Sequence, residues 1–203
     1  GDWSSDVCSS DLLDRFVFFS RAALELARHI EPVPDILHAN DWHTALIPAL
    51  ASVVHLPMRT IFTIHNLRYQ GEFPSSDFPK LGLPADMFRP ETLEFYGKVN
   101  LLKGAILLAH EVTTVSPSYA QEIQTEGFGH GLHEVLRGRA AHVTGILNGI
   151  DEESWNPATD PALPKHFRTS SLSGRDACRA ALEAELGLEA ANGRPIFGMV
   201  SRM

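Results

Sequence analysis

Residues 35–71 read DILHANDWHTALIPALASVVHLPMRTIFTIHNLRYQG, and few folds accommodate that pattern. Two short apolar, β-rich runs, 35–39 and 59–64, each end in polar residues, and an amphipathic segment from Trp42 to His55 separates them. The pattern predicts strand, helix, strand. Parallel neighbours joined by a right-handed crossover carry both carboxyl ends to one edge of the sheet, where ligands bind in open α/β sheets. The first strand delivers Asn40, Asp41, Trp42 and His43 to that edge, and the second delivers His65 and Asn66. These groups suit a polyhydroxylated ligand, because amides and carboxylates bind hydroxyls while an aromatic face packs on the apolar face of a sugar ring. Asp41 is equally placed to N-cap the helix beginning at Trp42, and His65 to serve as a turn residue.

The 203 residues hold one large domain, or one domain and part of another. A hydrophobic share of 44% suits a globular protein and argues against disorder. The net charge of −8, with no basic run, argues against nucleic acid and an anionic membrane surface as partners. The longest apolar run, around 101–109, is broken by Lys103 and Gly104 and is too short to span a bilayer. Cys8 and Cys178 are the only cysteines, which leaves neither a disulfide framework nor a zinc-type cluster and points to the cytoplasm.

Residues 1–12, GDWSSDVCSSDL, break the periodicity that follows and read as non-native or disordered. From 12 to 30 the apolar residues Phe16, Phe19, Ala23, Leu26, Ala27 and Ile30 recur at helical spacing, until Pro32 and Pro34 end the pattern. Residues 67–90, rich in Gly and Pro, read as a functional loop or lid, with aromatic packing an equal explanation for Phe73, Phe78 and Phe88. A long, mostly buried helix is predicted over 91–109, with Gly97 and Gly104 marking close contacts, then a strand over 111–115. Ser116-Pro117 is a strong helix start, with the helix running to about 126. The GFGHGL segment at 127–132 departs from the dinucleotide fingerprint and is not read as a phosphate cradle; a helix over 132–139 follows it. A strand over 141–147, a turn at Asn148-Gly149, a linker over 151–171, a helix over 173–188 capped by Ser173, and a strand over 195–201 complete the prediction.

HANDWH at 38–43, TIHNLRYQG at 63–71, TTVSPSYAQEI at 113–123, GILNGIDEESWNP at 145–157 and VSRM at 200–203 resemble, in order, the motifs of the bacterial glycogen synthase and starch synthase family. The resemblance spans about residues 13–203 and implies an α/β protein of the GT-B glycosyltransferase type, with two Rossmann-like doubly wound domains. Residues 13–146 would form the acceptor-side domain, incomplete at its start, 147–194 a hinge and linker with a helix, and 195–203 the first strand of a truncated donor-binding domain. The activity implied is retaining transfer of glucose from ADP-glucose to the non-reducing end of an α-1,4-glucan, with this chain alone inactive. Glycogen and starch synthase both fit these residues, as do ADP-glucose and UDP-glucose as donors.

By the same resemblance, Asp41, Trp42 and His65 would line the glucosyl pocket, His65 beside the anomeric carbon, where its carbonyl or ring stabilises developing positive charge. Asn66 would hold the loop, Tyr69 and Gln70 would lie near the site, and Asn148 would contact the glucose. Arg202 would bind the diphosphate, since guanidinium groups grip phosphate oxygens bidentately. Where many relatives carry a glutamate directly after the Gly-Leu pair, this chain has His133 and then Glu134, so neither receives a role. The chain has no DxD motif and no close-spaced metal-ligand set, so no metal cofactor is expected. Two rivals stand beside this reading: a metal-dependent hydrolase using His38, Asp41, His43 and His65, and a sugar-binding module without turnover.

Overall fold

The computed structural model of the chain describes residues 10–54, 56–189 and 194–201. In order the elements are α1 (Ser10–His29), β1 (Ile36–Asn40), α2 (Asp41–Thr44), α3 (Leu46–Val54), β2 (Arg59–Ile64), β3 (Glu72–Pro74), β4 (Glu94–Phe95), β5 (Lys98–Asn100), α4 (Leu101–Leu108), β6 (Glu111–Thr114), α5 (Pro117–Glu122), α6 (His133–Gly138), β7 (Val143–Gly145) and α7 (Gly174–Glu185). The chain divides into two compact units, one ending at Asn148 and the other beginning at Gly149.

The first unit is built on a parallel sheet of order β1-β2-β6-β7. The register sets Ala39, Phe62 and Val112 side by side in one row, and all three are buried. With Ile64 they form the face on which Leu50, Leu102 and Ile106 of α3 and α4 complete the core. Asn40, Thr63, Thr113 and Thr144 make a row on the opposite face, because successive strand residues alternate. There His38 Nε2 meets Thr63 Oγ1 at 2.6 Å, and Thr63 Oγ1 meets Thr113 Oγ1 at 2.5 Å. The helix predicted over 12–30 is α1, which begins at Ser10 and buries Leu13, Val17, Leu24 and Ala27. Residues 10–12 therefore belong to the fold; the rest of the segment set apart in the sequence, 1–9, lies outside the described residues.

The one helix predicted over 42–55 is two helices over its described residues, α2 and α3, the latter ending at Val54. Pro48 sits in the first turn of α3 and has no N–H to offer the Thr44 carbonyl, so the helical ladder breaks between α2 and α3. Ser116 behaves as predicted: its hydroxyl accepts the Tyr119 N–H at 3.0 Å with Pro117 at the first helical position, a cap that stabilises by about 1 kcal/mol.

The region 91–109 overturns the prediction of a continuous helix. Its first half is the β4–β5 hairpin, turned by Tyr96 (φ 49) and Gly97 (φ 78), the two positive φ values that a tight two-residue hairpin requires. Gly97 is thus a turn residue with open space around it, whereas Gly104 is a true close contact, since a Cβ there would meet Leu93 Cγ at 2.9 Å. β5 also pairs with β3, giving a small antiparallel sheet of order β3-β5-β4. The loop 67–90 therefore contains a strand and two 3-10 turns, with Phe73 and Phe78 buried and Phe78 packed on Phe88 at 5.2 Å. The ammonium of Lys103, on α4, donates to the carbonyls of Pro90, Thr92 and Glu94, and α4 is capped by Asn100, whose Oδ1 accepts the Lys103 N–H at 2.8 Å.

The strand predicted over 141–147 shortens to β7, preceded by a 3-10 turn, and Asn148-Gly149 forms no turn. In the second unit α7 starts at Gly174 with Ser173 in the cap position, but the Ser173 hydroxyl makes no capping bond. The stretch 195–201 is irregular and not a strand. A strand needs a neighbour to receive its ladder hydrogen bonds, and among the described residues of this unit the only pairing is the Arg168–Ser171 bridge.

Candidate active site

All four strands of the parallel sheet end on one edge, and the residues that follow β1 and β2 meet there. Asp41 is the point of contact. Its backbone is left-handed, with φ 56, a conformation that aspartate and asparagine tolerate better than most residues. Asn40 stands at the N-cap of α2 and makes no side-chain capping bond. Asp41 Oδ1 accepts the backbone N–H of His65 at 2.8 Å, and Asn40 Oδ1 lies 3.2 Å from Nε2 of the same histidine. Asp41 is half-buried, while His65 and Asn66 are exposed. One edge of the sheet thus holds a carboxylate on the His65 backbone and an amide on its imidazole.

Trp42 is not at the surface. It is 8% exposed, with Phe16 at 5.0 Å, His43 at 4.3 Å and Phe73 at 6.0 Å. The Gly71 backbone also presses on the indole so closely that a Cβ there would meet Trp42 Cε3 at 2.7 Å. Its faces are taken, and the expected stacking of a sugar on this ring is replaced by a core role under Asp41 and Gly71. Burial pushes the His43 imidazole below its ordinary value, against the opposing pull of the Asp41 carboxylate.

Gln70 likewise points inward. It is 9% exposed, its Oε1 accepts from Asn100 Nδ2 at 2.7 Å, and its Nε2 donates to the His130 carbonyl at 2.9 Å. Both ends of its amide are occupied by protein. Asn66 Oδ1 accepts the Arg68 N–H at 3.0 Å and so shapes the loop, and the Tyr119 hydroxyl accepts the Leu67 N–H at 3.1 Å. Tyr69, on the same loop, is 60% exposed. Asn148 is exposed beyond β7. Arg202 lies outside the described residues.

His38 is bonded to Thr63 and His43 packs against Trp42, so the four groups His38, Asp41, His43 and His65 do not converge. Among the described residues no group of three or more His, Cys, Asp and Glu is disposed to hold a metal ion. No helix among them is long and apolar enough to cross a membrane. Sequence reasoning assigned no contact to Asn40, Thr44 or Tyr119. A threonine four residues after a strand-ending asparagine is the one signal that could have found the first two.

Comparison with known proteins adds to this geometry. Residues 3–138 match the family described as the starch synthase catalytic domain. A glycogen synthase of Anaeromyxobacter sp. (strain Fw109-5) is 46% identical over 199 residues, which cover 95% of this chain and 42% of that protein. Glycogen synthase 1 of Rhizobium meliloti (strain 1021) is 48% identical over 197 residues, covering 95% of this chain and 41% of that protein. Among solved structures, the catalytic domain of Starch Synthase IV from Arabidopsis thaliana, bound to ADP and acarbose, superposes with a TM-score of 0.78 at 41% identity, covering 91% of this chain and 39% of that one. The chain spans about 42% of the length of the curated relatives it matches.

Proposed function

The chain belongs to the starch synthase catalytic-domain family, of GT-B fold, and from that premise we propose that the protein carrying it is a glycogen synthase. It transfers glucose from ADP-glucose to the non-reducing end of an α-1,4-glucan, with retention at the anomeric carbon and without a metal cofactor. The observation that carries the reading is the contact of Asp41 with His65 across adjacent strand ends, in a chain 46% identical to a glycogen synthase.

In the proposed reaction the glucan hydroxyl oxygen forms a bond to the anomeric carbon on the face from which the diphosphate leaves. The bond from that carbon to the phosphate oxygen breaks, and the departing oxygen takes the hydroxyl proton. Positive charge on the sugar peaks between these events, and groups fixed in advance stabilise it without reorganising. His65 is the group proposed for that place, its backbone held by Asp41. Asn66 keeps the loop in shape, Tyr69 is offered to the acceptor, and Asn148 to the glucose. Arg202 is proposed to bind the diphosphate through its guanidinium. Trp42 and Gln70 enter as supports beneath these groups. Residues 13–146 would supply the acceptor side, 147–194 the hinge, and 195–203 the opening of the donor domain. The sparse cysteine content supports a cytoplasmic setting.

The test is incorporation of glucose into glycogen by the full-length product of the gene encoding this chain, with ADP-glucose and UDP-glucose as alternative donors. Transfer that survives a chelator and collapses in His65→Ala is the expected result. A folded protein that transfers from neither donor would overturn the proposal.

A further inference from the structure

Asn40 occupies the last position of β1, and its neighbour Asp41 turns left-handed. Successive strand side chains leave on opposite faces, so residues 40 and 41 would ordinarily point apart. The positive φ at Asp41 interrupts that alternation, and both side chains land on His65, one on its backbone N–H and one on its ring. The strand end that presents them is itself pinned. The Asn40 N–H donates to Thr44 Oγ1 at 2.6 Å, and the same hydroxyl donates back to the Asn40 carbonyl at 2.7 Å.

An amide oxygen accepts hydrogen bonds and cannot donate them. The contact of Asn40 Oδ1 with His65 Nε2 therefore requires the ring proton on Nε2. A neutral imidazole carries one such proton, which leaves Nδ1 as a bare lone pair. Among the described residues no protein group meets Nδ1, since the bonds of His65 are those to Asp41 and Asn40. We propose that Asn40 is a positioning residue: it sets the ring plane and tautomer of His65, so that Nε2–H is spent on Asn40 and Nδ1 is left to accept a hydroxyl of the bound sugar. The part concerning the sugar rests on the reading of His65 given under Proposed function. The part concerning the ring does not.

The experiment uses the full-length gene product labelled with 15N-histidine, the His65 resonances being identified by their absence in His65→Gln. Wild-type protein is expected to show the Nε2–H tautomer at His65. Asn40→Leu, close in volume but without an acceptor, is expected to give a mixture of tautomers and a fall in kcat of about fivefold, the factor one neutral hydrogen bond is worth. Asn40→Asp keeps an oxygen at the same reach and, read at a pH high enough that the ring is neutral beside the added carboxylate, is expected to retain the Nε2–H tautomer. An Nδ1–H tautomer in wild-type protein would overturn the inference, as would an unchanged tautomer in Asn40→Leu. A role confined to stability would lower the melting temperature in Asn40→Leu and leave the ring signature alone, and that result also counts against it. Absence of glucose transfer by wild-type protein would sink the functional reading, while the ring signature, which needs no turnover, still decides this one.

Discussion

Replacing Lys103 by methionine should destabilise the first unit by an amount that its surroundings define. The residue is 4% exposed, and its ammonium donates to the carbonyls of Thr92 at 3.1 Å, Glu94 at 2.8 Å and Pro90, with the Phe95 ring centroid at 5.8 Å. Methionine keeps the packing of the stem but supplies no donor. Charge-assisted hydrogen bonds contribute roughly 1.5–3 kcal/mol each, so three of them represent about 4–9 kcal/mol before any offset. The offset is large, because the buried ammonium costs several kcal/mol of lost hydration that methionine does not incur. Burial is also what drives the Lys103 pKa below its ordinary value, outweighing the nearby Glu94 and Glu91 carboxylates that raise it. A net loss of about 3 kcal/mol remains, which at roughly 4 °C per kcal/mol for a cooperative unit of about 150 residues lowers Tm by about 12 °C. Thermal unfolding followed by circular dichroism measures the size of the effect, and hydrogen exchange its location. Exchange should quicken around residues 89–100, where the freed carbonyls and the β4–β5 hairpin lie. A Tm within about 2 °C of wild type, or a loss of protection spread evenly over the unit, would refute the reasoning.

Two further outcomes follow from the surroundings of Trp42. Gly71→Ala imposes φ 63 on a residue with a Cβ and drives that atom to 2.7 Å from the indole; the expected cost is about 2–4 kcal/mol, read as a lowered urea midpoint at unchanged slope. His43 binds a proton less readily in the folded protein than in the unfolded chain, whose value is 6.5, because burial outweighs the Asp41 charge. The unfolded state therefore holds more protons across the window just below 6.5, and stability must fall as pH falls through it. Urea midpoints from pH 7.5 to 5 should decline, and His43→Phe should flatten part of that slope. An identical slope in the variant would show that the histidine is not the source.

Much of the sheet was legible because its signals are local. The run Arg59–Ile64 is β-branched and apolar, and Asn40-Asp41 and His65-Asn66 punctuate the strand ends. Ser116-Pro117 announces α5 for reasons confined to a single turn. The hairpin before α4 was hidden because the apolar spacing of Leu101–Leu108 is helical and invites extension backward, whereas the turn depends on positive φ at Tyr96, a residue type that rarely adopts it. Residue types predicted which residues follow the ends of β1 and β2, but not which groups face outward. Trp42 is covered by Phe16 and Phe73, distant from it in sequence, and Gln70 turns inward toward Asn100 and His130. Such burial is set by tertiary partners, and no spacing near residues 42 or 70 encodes it.

The left-handed backbone at position 41 also restricts which sequences this edge can accept. Glycine, asparagine and aspartate are the residues at ease at φ 56, and of these only asparagine and aspartate bring an oxygen to the His65 N–H. Position 41 therefore has a two-letter alphabet before any demand of chemistry is added. A requirement for negative charge leaves one letter. Any variant that departs from it must rebuild the support of His65 from another segment, so drift at position 41 is coupled to compensating change on β2 or its following loop.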